Sequence, residues 1–373
     1  MSDTSVPTNL KVKKWESDFY EQYVQIPDFA SVMGTQENAL IQVKTQLGKR
    51  EGDTLYIQLV NRLTNAATTG SNVLEGNEED MTQRSHAITI NKRRNAVRIP
   101  EMEEIRSAID LRDAARSVLM TWSKEDTRDF IIRQLGSLDG TDFLSRTAAI
   151  GDAWLVDNLD RVYFGANVGS GTDLSADLAQ LDTTNDLFNS TALDGMILKA
   201  KTCNPKIRPL RDPGNGKRAY IAYANPHAFK DLKSSMASTL ATTQVEAQGM
   251  KLFDGGDLWW NGVIVKEVDD LPIYANIGAS GTAEVTPVYL CGAQALGVAW
   301  GRRWSTRTKE FDYGDKYGVA IDGIYAVSKL RFGTGTGDTD NYKDNGVVTG
   351  FFATTGSANA SGLNNSGTSA EIG

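Results

Sequence analysis

Apolar and polar positions alternate twice between residues 55 and 100, on either side of a long polar excursion. Leu55, Ile57 and Leu59 alternate with Tyr56, Gln58 and Val60, and Ile88 and Ile90 with Ala87, Thr89 and Asn91. This period of two predicts a pair of strands that run out to a charged, glycine-containing tip and return. An isolated two-stranded ribbon has two open edges and little apolar surface to bury, so it is marginal in water. No adjacent segment offers a matching sheet, and the expected support is a neighbouring copy of the chain. The return strand also changes phase, since Ile88 and Ile90 are even-numbered whereas Val97 and Ile99 are odd-numbered. A bulge or bend near Lys92–Asn95 would reconcile the two faces.

After Pro100 the period lengthens. Ile105, Ala108, Leu111, Ala115, Val118 and Trp122 recur at steps of three and four, Ile109 and Leu119 widen the stripe, and Phe130, Ile131 and Leu135 continue it to Gly136. This predicts a long amphipathic helix. Glu101, Glu103 and Glu104 place negative charge where the helix dipole favours it. Ser123 followed by Asp126 resembles a capping box, a point where the helix is expected to break and restart. A second helical stretch falls within 142–164, and a Gly/Asn/Ser/Asp run at 165–190 reads as a lobe boundary.

The next lobe reads as α/β. A helix at 193–203 precedes a strand at 218–224, and Asn225-Pro226 opens another helix. Asn261-Gly262 is a strong hairpin signal, and 288–300 is apolar enough for one buried strand. Residues 308–332 give a strand, a turn at Tyr313–Lys316 and two further strand segments. Residues 1–47 lack periodicity but keep Trp15, Phe19, Tyr20, Tyr23 and Phe29, so this arm is expected to dock on its own subunit or another. The tail Gly333–Gly373 is rich in Gly, Ser, Thr and Asn, a composition that buries too little to offset ordering entropy. Its one apolar cluster, Val347, Val348, Phe351 and Phe352, is expected to pack against a folded lobe or a neighbouring subunit. Phe351 and Phe352 are therefore candidate inter-subunit residues.

A chain of 373 residues predicts two or three lobes, and 40% hydrophobic residues suffice to fold them. The net charge of −8 argues against tight, phosphate-driven nucleic-acid binding. No signal peptide and no membrane-length apolar run is expected, which makes cytosolic synthesis the default. Cys203 and Cys291 form no CxxC motif and are too few for a disulfide framework.

Catalytic and cofactor patterns are weak. His86 and His227 sit in no metal-ligand spacing, and no GxSxG elbow occurs. GNGK at 214–217 resembles the end of a Walker A loop, but Arg218 replaces the Ser or Thr that chemistry needs. GANVGSG (165–171) and GTGTG (333–337) read as flexible linkers. DTDNYKDNG (338–346) carries oxygen ligands without the EF-hand glycine and distant glutamate. Asp269 and Asp270 are adjacent and point in different directions, unlike a paired acid and base. No metal and no cofactor is expected.

One charge constellation remains. Glu75, Glu78, Glu79 and Asp80 crowd the arm's tip, while Arg84, Lys92, Arg93, Arg94 and Arg98 crowd its return strand. Solvated surface charge is the plain reading. Complementary patches that set register between copies is the reading favoured here, given an arm that needs a neighbour.

The wording of two segments carries a family resemblance. YIQLVNRLT…LEGNEE…SHAITINKRRNAVR (56–98) resembles the extended loop of tailed-phage major capsid proteins of the podophage-type branch, and EFDYGDKYGVAIDGIYAVSKLRF (310–332) resembles their C-terminal strands. The resemblance implies an α+β chain with the Hong Kong 97-like capsid fold. Its parts would be an N-terminal arm (1–47), an extended loop or E-loop (48–100), a peripheral domain with a spine helix (101–165), an axial domain (166–300), peripheral return strands (301–332) and a C-terminal extension (333–373). It also implies a structural protein without catalytic residues, assembling with copies of itself into hexamers and pentamers of an icosahedral shell around double-stranded DNA. A portal protein at one vertex would be a partner, with scaffolding and decoration proteins as further candidates. The alternatives are a cellular nanocompartment shell of the same fold and a cytosolic α/β enzyme with a site assembled from distant residues.

Overall fold

The computed structural model describes residues 29–45, 52–63, 65–107, 109–166, 171–211, 218–246, 253–254, 257–334 and 341–354. Trp15, Phe19, Tyr20 and Tyr23, the GNGK string and the tail beyond 354 lie outside the described residues. The chain divides into two compact units. As far as residues are described, one comprises Lys92–Thr127 and Arg302–Ile324, the other Pro27–Asn91, Arg128–Gly301 and Tyr325–Gly373.

The larger unit is built around an eight-stranded mixed sheet. Its main path runs Val162–Phe164, Val347–Thr354, Glu284–Cys291, Arg218–Ala224, Val263–Glu267, Asp257–Trp260, Phe253–Asp254, with Leu210–Arg211 paired off it. Asn261 and Gly262 turn the predicted hairpin with φ of 43° and 80°, the left-handed pair that matches strand twist. Helices Ser190–Thr202 and Pro226–Glu246 supply Leu193, Met196, Phe229 and Leu232 to a core on one face of the sheet. A second core holds Phe143, Trp154, Leu155 and Tyr274.

Val347–Thr354 changes the expected domain plan. All eight residues are buried, paired antiparallel with Glu284–Cys291 along their length and parallel with Val162–Phe164. Successive side chains of a strand point to opposite faces. Phe352 accordingly packs with Phe188 at 4.9 Å and Phe351 with Phe164 at 5.7 Å, each in a different core. The apolar cluster of the tail is thus a central strand of its own subunit. The presumed lobe boundary at 165–190 also packs inward, with Leu174, Leu178 and Leu181 buried. The apolar run 288–300 is two strands, Glu284–Cys291 and Leu296–Phe311, which belong to different sheets and are separated at Gln294, φ 59°.

The predicted spine helix breaks, but elsewhere than at Ser123. A short helix Glu101–Arg106 ends at Ser107, and Leu111–Leu135 then runs unbroken. The Asp110 carboxylate accepts from the N–H of Arg112 (3.0 Å) and Asp113 (3.2 Å), which caps the second helix. Ser123 instead donates back to the carbonyl of Met120, and Thr127 to that of Ser123, bonds made inside a continuing helix. Within the smaller unit Leu119 and Trp122 pack on Val97, Trp304, Val319 and Ile321. Ile105 and Val118, assigned to the apolar stripe, are exposed.

Candidate assembly surface

The arm is half supported by its own chain. Strands Thr54–Val60 and Gln83–Thr89 pair antiparallel, with Leu55 opposite Ile88 and Leu59 opposite Arg84. Their inward residues Leu55, Ile57, Leu59 and Ile88 pack with Ala299, Ala326, Leu330 and Phe332. His86, buried, bonds through Nε2 to the Ser328 hydroxyl at 2.8 Å and meets the Phe332 ring edge-on. The expected support is a neighbouring copy; at its base the arm instead rests on segments of its own chain that are distant in sequence. The parity switch is also located: Gln83–Thr89 ends at Thr89 and Asn91–Pro100 joins another sheet, so the phase changes at Ile90, ahead of Lys92.

Beyond Val60 and before Gln83 the arm differs. Leu63, Val73, Leu74 and Met81 are each more than 60% exposed. Glu75, Glu78 and Asp80 are exposed as well, while Glu79 is half-buried and accepts from the Asn65 N–H at 2.8 Å. Glu78 accepts from the Gly76 N–H at 2.6 Å, which holds the turn together. Four large apolar side chains exposed beside acidic ones on one loop make the tip a candidate partner surface. Sequence reasoning misses these exposed apolar residues. Their lack of any period is why.

The basic residues separate into three kinds. Arg84, half-buried, lines a cleft of about 570 Å³ with Arg62, Glu79, Arg161 and Lys343. Arg93 is turned inward and forms a two-pronged ion pair with Asp126 of the spine helix, its Nε donating at 2.6 Å. Lys92 reaches Asp322 at 3.6 Å. Arg94 and Arg98 are exposed and form no ion pair among the described residues. Five basic residues near one another in sequence therefore do not make one patch.

Asp322 is the hub of a second arrangement that the sequence does not reveal. Its buried carboxylate faces Arg302, Arg307 (3.4 Å) and Lys92, and accepts from the Ser305 hydroxyl at 2.9 Å. Burial works to raise its pKa, but the Ser305 bond and the three cations outweigh it and hold the carboxyl below its ordinary value. Arg94 and Arg307 line a cleft of about 500 Å³ around it. Three cations share one carboxylate, and Arg94 lines the same cleft without pairing with it.

Residues weighed for chemistry have other work. Asp344 of the DTDNYKDNG string accepts from Lys329 at 2.8 Å and from the Trp154 indole at 3.1 Å, deep in the larger unit. Asp270 pairs with Arg128 at 2.6 Å. Cys203 and Cys291 are buried free thiols, and burial pushes Cys291 up to about 12, so it carries no thiolate at neutral pH. Phe351 and Phe352, at 1% and 0% exposure, offer no surface to a neighbour, which corrects their assignment as inter-subunit residues.

The comparisons agree with this structural character. A family model described as phage capsid protein matches residues 3–350. The major capsid protein of Pseudomonas phage KPP25 is 29% identical, across 93% of this chain and 96% of its own length. The capsid subunit of Cyanophage Pam1 superposes with a TM-score of 0.84 at 29% identity, covering 96% of this chain and all (100%) of that one. The capsid of Ralstonia phage GP4 gives a TM-score of 0.73 at 22% identity over 95% and 99%, a likeness of fold. These matches favour a virion over a cellular compartment or an enzyme. The chain belongs to the phage capsid protein family and is a major capsid protein of the virion shell.

Proposed function

We propose that this subunit assembles as hexamers and pentamers of an icosahedral shell around packaged double-stranded DNA, with the domain plan of the Hong Kong 97-like fold. The arm at 48–100 is the extended loop and lies over an adjacent subunit. Residues 101–165 and 301–332 form the peripheral domain, with Leu111–Leu135 as its spine. Residues 166–300 form the axial domain, and Val347–Thr354 belongs with it because it is a strand of the same sheet. The protein acts through surfaces and not through a catalytic centre.

The observation that carries this reading is the contrast along the arm. Its base is pinned by Ile88 and His86 to its own chain, whereas its tip exposes Leu63, Val73, Leu74 and Met81. An arm built this way keeps its direction while offering its end to a partner. Deleting Asn65–Asp80 tests it. Circular dichroism and thermal melting of the variant are expected to match the full chain, while electron microscopy finds no closed shells. Normal particles from the deletion would overturn the proposal.

A further inference from the structure

The smaller unit bears a basic surface that the isolated subunit leaves under-neutralised. Side chains two residues apart on a strand share a face. On Asn91–Pro100, Arg93, Val97 and Ile99 turn inward, which leaves Lys92, Arg94 and Arg98 on the opposite, exposed face. Arg94 borders the cleft around Asp322, where Lys92, Arg302 and Arg307 already share the one carboxylate. A surplus of cations around a single anion raises the local potential and favours an incoming negative group.

The same chain carries the matching anion. The arm's tip presents Glu75, Glu78 and Asp80 to solvent, and these acids are interleaved with the exposed Val73, Leu74 and Met81. We propose that the acidic arm tip of one subunit docks on the Lys92–Arg94–Arg98 face and the Asp322 cleft of a second copy, with Glu75 and Asp80 meeting Arg94 and Arg98. This rests on the shell reading above and names the landing surface within it. Charge complementarity sets the register of the contact, and the apolar tip residues supply burial once register is set. Asp322 acts as a positioning residue, fixing Lys92, Arg302 and Arg307 so that the cleft is preformed.

Charge exchange between the surfaces tests the proposal. Arg94→Glu/Arg98→Glu and Glu75→Arg/Asp80→Arg alter exposed residues outside the Glu78–Gly76 turn bond, and each variant is expected to melt as the full chain does. Each is expected to lose at least tenfold in shell yield, more at 20 mM than at 300 mM salt, where repulsion is screened. The fourfold variant carrying both exchanges restores assembly. Co-expression of the two double variants also restores it in part, because a reversed tip then finds a reversed face on another chain. Unchanged yields, or no restoration by the fourfold variant, overturn the proposal. Restoration by the fourfold variant without restoration in the mixture places the contact within one chain and overturns it too. If the unaltered protein forms no shells, the shell reading itself fails, a separate outcome.

Discussion

Arg93 and Arg94 are neighbours in sequence with opposite roles, which follow from the strand period once Asn91–Pro100 is known to be one strand without a bulge at Lys92–Asn95. One must face in and the other out. What the period cannot supply is the partner, because Asp126 lies 33 residues away on another element. The same limit hides Asp322 and Asp344, whose partners converge only in the fold. Lys329 and Asp344 are buried together, at 3% and 4% exposure. Asp344→Ala strands the ammonium in the interior and is expected to cost about 3–5 kcal/mol in urea unfolding, whereas Arg94→Ala stays within about 0.5 kcal/mol. Asp322 adds a dependence on pH. Its folded pKa is lowered, so its stabilisation is complete above the unfolded value of about 3.9 and is lost as pH falls through the folded value. The stability gap between the unaltered chain and Asp322→Asn should therefore hold from pH 7 to about pH 5 and narrow below about pH 4. A gap that is constant down to about pH 2.5 would sink this account.

Elements are legible where a pattern persists over several residues. The strand Thr54–Val60 and the Asn261-Gly262 turn stand where period and turn chemistry put them. The spine helix is legible as a long helix, but the break expected at Ser123 is absent, because the capping motif is made of residues that also bond back inside a helix. Asp110 provides the cap instead, and Asp110→Ala is expected to cost about 0.5–2 kcal/mol. The strand Val347–Thr354 is obscured by its flanks, whose composition reads as disorder. Its stability comes from neighbours on both sides, Glu284–Cys291 and Val162–Phe164, that sequence proximity does not reveal. Truncation after Phe332 removes that strand and with it Phe351 and Phe352, each worth about 3–5 kcal/mol as a Phe→Ala change. It should yield insoluble or unfolded protein. A truncated chain that keeps native circular dichroism would show that the strand is dispensable.

At the scale of the whole molecule, net charge and charge placement answer different questions. The balance of −8 describes the sum, while Lys92, Arg94, Arg98 and Arg307 concentrate positive charge on one unit. A shell protein that must let DNA enter and leave is served by weak attraction, because each phosphate neutralised releases counterions and steepens binding. On the proposals above, the basic face has two anionic candidates, the genome and the arm of another copy. They separate by affinity. If the face serves the arm, the isolated subunit should not retain double-stranded DNA at about 150 mM salt in a mobility-shift assay, and Arg94→Glu/Arg98→Glu should change assembly but not DNA retention. Submicromolar DNA binding that disappears in that variant would assign the face to the genome. The acidic tip argues for the first outcome, since Glu75, Glu78 and Asp80 would repel phosphate while they are opposite in charge to the basic face.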